Sequence, residues 1–147
     1  MADQAHESIH VAAPADRCWD IAVDVERYPE WAKDVKSVEV LGRDEHGRPK
    51  TVEFRAAAMG RSMTYTLEYD YTDGPSEFSW HLVEGDIVKQ LDGTYRFDPV
   101  EGGTEVHYWL TIDVAIPLPG LVKRRAAGMI LGTALKELKK EAERRGA

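Results

Sequence analysis

Between residues 62 and 72 hydrophobic and polar positions alternate. Met63, Tyr65, Leu67, Tyr69 and Tyr71 share one parity, and Thr64, Thr66, Glu68 and Asp70 share the other. Side chains in a strand point alternately to opposite faces, so this segment predicts a strand with one wet face and one apolar face. The same alternation recurs in Val52, Phe54, Ala56 and Ala58 within 51–59, and in Phe78, Trp80 and Leu82 within 77–83. It recurs again in Leu91, Gly93, Tyr95 and Phe97 within 87–97, and in Val106, Tyr108, Leu110, Ile112 and Val114 within 104–116. Residues 7–11 and 35–42 read as two further strands. Turn signals separate the later strands: Asp44-Glu45-His46-Gly47, Gly60-Arg61, Asp73-Gly74-Pro75, Glu84-Gly85-Asp86, and Asp98-Pro99 with Gly102-Gly103. Connections this short join antiparallel neighbours, so the pattern predicts a meander.

Helical patterns occupy the two ends. Pro14 starts a helix whose apolar side is Trp19, Ile21, Ala22 and Val23, and Pro29 marks a second short helix carrying Trp31. Pro117-Leu118-Pro119-Gly120 ends the strands, and a long helix runs from about Pro119 to Arg145. Its middle, Ala126 to Leu135, is uncharged all round, which predicts burial on every side. Gly128 and Gly132 lie one turn apart there; each costs about 1 kcal/mol relative to alanine, which predicts close packing or room for a ligand. One strand, two short helices, six strands and a long helix make an α+β chain. We expect a curved antiparallel sheet of about seven strands wrapped around the last helix. With 147 residues, the chain is expected to be one domain, 1–147. A concave sheet closed by a helix is a shape that holds a small apolar molecule.

Charge narrows the partners. Nineteen basic against 26 acidic residues give a net charge of −7, which argues against DNA or another phosphate backbone as partner. Basic residues nevertheless collect at Lys123-Arg124-Arg125 and at Lys136, Lys139, Lys140, Arg144 and Arg145. These suit a solvated helix face and the negative end of the helix dipole; contact with a membrane surface or the ribosome is the remaining alternative. The one cysteine, Cys18, forms no intrachain disulfide and reads as a small core residue. The N-terminal residues carry no basic start and no apolar stretch, and no run reaches membrane-spanning length. The expectation is a cytoplasmic protein with no stable membrane insertion, no metal and no cofactor.

Several segments also resemble a known family. Ile9-His10-Val11-Ala12-Ala13-Pro14 followed by Cys18-Trp19-Asp20-Ile21 is similar to its strand, proline and helix opening. Asp24-Val25-Glu26-Arg27-Tyr28-Pro29-Glu30-Trp31 matches its Asp-x-x-x-Tyr-Pro-x-Trp segment. Leu91-Asp92-Gly93-Thr94-Tyr95-Arg96-Phe97 resembles its Gly-x-Trp-x-Phe strand with Tyr95 in place of tryptophan, and Gly103 to Leu110 resembles the strand after it. The chain thus resembles the START-like, SRPBCC superfamily, and within it the bacterial polyketide cyclase/dehydrase and coenzyme Q-binding group. The resemblance implies the helix-grip fold of the birch pollen allergen. It also implies binding of a hydrophobic molecule such as a lipid, polyketide or quinone. Polyketide cyclisation or dehydration, and a ribosome-associating toxin role, are the alternatives it carries. Fold alone does not choose among them.

The residues themselves offer no convincing catalytic set. His81 and His107 have the parity opposite Trp80 and Tyr108 and are expected outside, as is His10; His46 is in a turn. No nucleophile elbow or phosphate loop is present. Hydroxyls on the aromatic parity are the available polar groups, able to donate to a ketone or enolate oxygen. The expected ligand-binding set is Trp31, Phe54, Tyr65, Leu67, Tyr69, Trp80, Tyr95, Tyr108, Met129 and Thr133. Trp31 is placed near an entrance. Arg55 and Lys89 are weighed as charged candidates, with Lys89 at a cavity mouth, since an unpaired buried charge is costly.

Overall fold

The structure is a computed structural model that describes residues 3–58, 61–71, 74, 76–115 and 117–145. Strand β1 (Asp3–Val11) leads into helix α1 (Ala15–Val23), a 3-10 turn (Val25–Arg27) and helix α2 (Tyr28–Trp31). Strands β2 (Val35–Arg43), β3 (Pro49–Ala58), β4 (Arg61–Asp70), β5 (Glu77–Gly85), β6 (Val88–Val100) and β7 (Gly103–Val114) follow, then helix α3 (Gly120–Arg145). The strands form one antiparallel sheet in the order β1-β7-β6-β5-β4-β3-β2. The meander therefore runs from β2 to β7, and β1 closes on β7. This is the curved sheet on one long helix expected from the pattern, the helix-grip architecture that the resemblance implies.

The alternation that predicts the strands also sets their faces. On β7, Thr104, Val106, Tyr108, Leu110, Ile112 and Val114 are buried, and the residues between them are more exposed. The inner stripe of α3 is Ala127, Leu131, Leu135, Leu138 and Ala142, spaced by three or four residues so that they share one side of the helix. Each fully buried leucine contributes roughly 1.5–3 kcal/mol. The C-terminal half of α3 is also pinned by polar contacts. Glu143 accepts the Ala12 N–H at 2.9 Å and pairs with Lys139 at 2.6 Å, and Lys139 Nζ donates to the His10 carbonyl at 3.0 Å.

The middle of α3 is not buried on every side. Met129 is 71% exposed, and a β-carbon on Gly128 would meet nothing within 4 Å. The absence of charge there reflects an apolar outer face, not a surrounding core. Gly132 does mark a close approach, since a β-carbon there would lie 3.3 Å from the Glu7 carboxylate of β1.

Several element boundaries move outward. β1 begins at Asp3, not Glu7, because its polar residues have a ready partner in β7, with His6 opposite Trp109. β6 runs through Pro99 to Val100. A bulge between Val88 and Gln90 breaks its alternation, so Val88 and Leu91 both point inward while Lys89 is exposed. Lys89 Nζ donates to the Asp86 carbonyl and is not part of the cavity wall; Arg55 is likewise exposed. His10 and His81 face outward, and Cys18 is a buried free thiol. The expectations that fall on Met59, Gly60, Thr72, Asp73, Pro75 and Ile116 lie outside the described residues.

Gly93 sits opposite Trp80 across β5 and β6, and the indole leans over its bare backbone. A β-carbon at 93 would lie 2.2 Å from the Trp80 ring. Gly93→Ala is expected to force the ring out of place and to destabilise the fold by about 1–3 kcal/mol. Urea unfolding of the two proteins measures this, and an unchanged midpoint would refute it.

Candidate functional site

Three aromatic groups line the concave side of the sheet in sequence. Trp19 of α1 meets Tyr71, Phe78 and Phe97 edge-on at one end. Trp80 is in the middle, with ring centroids 5.5–5.8 Å from Tyr69, Tyr95 and Tyr108. At the other end Tyr28 of α2 packs against Trp31 and Phe54, and Phe54 stacks on Tyr65 at 5.6 Å. The second and third leave a cavity of about 170 Å³ between sheet and α3.

Nine of the ten residues expected in the ligand set lie on this wall: Trp31, Phe54, Tyr65, Leu67, Tyr69, Trp80, Tyr95, Tyr108 and Thr133. Met129 does not. It is exposed on the outer side of α3, and Ile130, Thr133, Ala134 and Glu137 are the residues of that helix on the wall. The i, i+3, i+4, i+7 spacing of these four was the available signal for them. The wall also includes Tyr28, Asp34 and Val88, which the sequence reading did not select. Tyr28 was visible only as part of a structural motif, and its hydroxyl donates to the Ala22 carbonyl. Val88 was hidden by the bulge in β6.

Several of the wall's polar groups are unclaimed. Among the described residues, the hydroxyls of Tyr65, Tyr69, Tyr95 and Tyr108 make no hydrogen bond to protein. Trp31 Nε1 is buried with no partner. An unpaired buried donor costs about 1–3 kcal/mol. Burial also pushes the phenol pKa upward: Tyr65 to about 12, and Tyr69, Tyr95 and Tyr108 upward as well, with neighbouring tyrosines adding to the effect for these three. All four therefore stay protonated and able to donate at neutral pH. The charged groups on the wall are both acidic, Asp34 and Glu137; no lysine or arginine lies there. Asp34 is exposed and marks the rim. Glu137 Oε2 accepts the Lys33 N–H at 3.1 Å, tying the loop after α2 to α3. No group of three or more His, Cys, Asp or Glu among the described residues is placed to hold a metal ion. No described helix is long and apolar enough to cross a membrane.

Comparison with known proteins agrees with this geometry. Residues 3–143 match the family model described as "Polyketide cyclase / dehydrase and lipid transport". The chain belongs to that family. It is 42% identical over 112 residues to a Streptomyces cyaneus protein named "Putative polyketide cyclase", covering 74% of this chain and 71% of that one. A START superfamily protein from Mycobacterium smegmatis superposes with a TM-score of 0.88 at 25% identity, covering 96% of this chain and 97% of that chain. The Zhui aromatase/cyclase from Streptomyces sp. R1128 superposes with a TM-score of 0.79 at 20% identity, over 100% and 97% of the two chains, which shows a shared fold.

The raised phenol pKa values carry a stability consequence. Below the ordinary phenol pKa near 10 both folded and unfolded chains hold their tyrosine protons. Above it the unfolded chain releases protons that the folded START-like domain retains, so stability falls as pH rises. Alkaline unfolding is expected to begin near pH 10, with the tyrosinate absorbance of the buried rings appearing together with loss of the fold. Tyrosinate formation at ordinary pKa in a still-folded protein would contradict it.

Proposed function

We propose that the cavity binds an uncharged hydrophobic molecule carrying ketone, quinone or phenol oxygens. The supporting observation is a wall that carries four tyrosines and the buried, unpartnered Nε1 of Trp31 but no basic side chain. The donors match carbonyl oxygens, and pockets of this sort use a few placed polar groups in an apolar wall. An anionic headgroup has no counter-charge there and meets the carboxylates of Asp34 and Glu137. The volume, about 170 Å³, is close to that of an engineered cavity of about 150 Å³ that holds benzene. One or two rings fit inside, with the rest of the molecule leaving past the rim. A polyketide or quinone suits this description better than a fatty-acid anion.

The test is a titration with a neutral naphthoquinone and with a fluorescent fatty acid of similar length, read by quenching of tryptophan fluorescence or by probe emission. The quinone is expected to bind at least about tenfold more tightly, a difference of about 1.4 kcal/mol. Ala134→Phe, which fills the cavity from α3, should abolish binding while circular dichroism stays unchanged. Preference for the fatty acid, or full binding by the filled variant, would sink the reading.

Trp31→Phe separates the donor from the ring. Removing an unpaired buried N–H should stabilise the unliganded protein by about 1 kcal/mol, and should weaken quinone binding. A variant that loses stability and keeps its affinity would show that the N–H is not a ligand donor.

A second reading, cyclisation of a poly-β-ketone, is favoured by one specific group. Glu137 places a carboxylate on the same wall as the tyrosine hydroxyls. It would take a proton from a carbon flanked by two carbonyls. The resulting enolate carbon would bond to a second carbonyl carbon, whose oxygen would receive a proton from a tyrosine, with Glu137 returning its own proton to that tyrosine. Loss of water would complete a dehydration. Under this reading Glu137→Gln keeps ligand affinity and loses product formation; equal product from both proteins would remove Glu137 from the chemistry.

A further inference from the structure

The outer side of α3 is a different surface from the cavity, and its charge is opposite to that of the rest of the molecule. Eight of the 19 basic residues but three of the 26 acidic residues lie in α3, so the helix carries +5 and the remaining chain −12. No acidic residue occurs from 114 to 136. Within this stretch Leu121 is 61% exposed, Val122 45% and Met129 71%. Arg124 and Arg125 are exposed beside them and make no ion pair among the described residues, while Lys123 is held by the Val114 carbonyl at 3.1 Å.

We propose that the outer face of the N-terminal half of α3 docks on an anionic lipid bilayer. The arginines match phosphate headgroups, and Leu121, Val122 and Met129 enter the acyl boundary beneath them, the arrangement of a helix that lies in an interface without crossing it. Exposed aliphatic side chains add nothing to a phosphate-backbone contact, which favours lipid over RNA. The strong negative charge of the remaining chain keeps other faces away from the same surface and fixes the orientation. The site is independent of the cavity contents.

The experiment is co-sedimentation of the full chain with vesicles of phosphatidylcholine alone and of equal parts phosphatidylcholine and phosphatidylglycerol. Binding is expected to the anionic vesicles only, and to weaken as salt screens the charges. The pair Arg124→Gln and Arg125→Gln should lower affinity about 25-fold, roughly fivefold for each charge. Leu121→Ser with Met129→Ser should lower it with both arginines still present. All four positions are exposed, so thermal melting should be unchanged. Absence of sedimentation with anionic vesicles, or equal sedimentation with neutral ones, overturns the proposal. Retention on polyuridine without vesicle binding overturns it in favour of an RNA contact, and an unaffected Leu121/Met129 variant overturns insertion.

Discussion

The burial of one helical stripe against one concave sheet is the constraint from which the rest follows. Leu131, Leu135 and Leu138 are almost fully enclosed, and they stand over the inward parity of β7 and β1. The sheet curves because it must reach around them. A curved sheet is wider at its middle than one helix, so the helix does not fill it evenly. The end held by Glu143, Lys139 and Ala12 is tight. The other end is where rings must complete the core.

Large rings complete it unevenly. Trp19 enters among Tyr71, Phe78 and Phe97 edge-on. Trp80 leans on Gly93, which draws its indole flat against the strand instead of into the centre. Two of the four α3 residues on the cavity wall, Thr133 and Ala134, are short. A wall of rings facing short side chains leaves a void, and the hydroxyls at the ring tips are left facing it. The cavity and its unclaimed donors therefore arise from the same packing pattern as the core.

Much of this was legible in the alternation of β3 to β7, because parity alone sends Phe54, Tyr65, Trp80, Tyr95 and Tyr108 to one face. What parity cannot show is a bulge. One extra residue in β6 takes Lys89 out of the cavity and puts Val88 into it. Nor does an uncharged helical run distinguish a buried face from an exposed apolar one, and Met129 was misplaced for that reason. Glu137 was passed over as one charge among many at the basic end of α3. Its helical spacing from Ile130, Thr133 and Ala134 separates it from its neighbours. The motif around Tyr28 and Trp31 identifies the family, yet the lack of a partner for Trp31 Nε1 depends on what surrounds it in space.

The placement of β1 beside β7 has a consequence for how the chain comes to be folded at all. As synthesis proceeds, the segment Asp3–Val11 emerges early, but its partners Thr104–Ile112 emerge about a hundred residues later. The other strands pair with a neighbour in sequence. The first strand alone must wait for a partner about a hundred residues further along, and contacts of such long range slow folding. Its composition suits that wait. Gln4, His6, Glu7, Ser8 and His10 outnumber its apolar residues, so it stays in water without offering a sticky edge to another chain. The polarity of this strand is a solution to a problem of timing, and Glu7 against Gly132 shows where the wait ends.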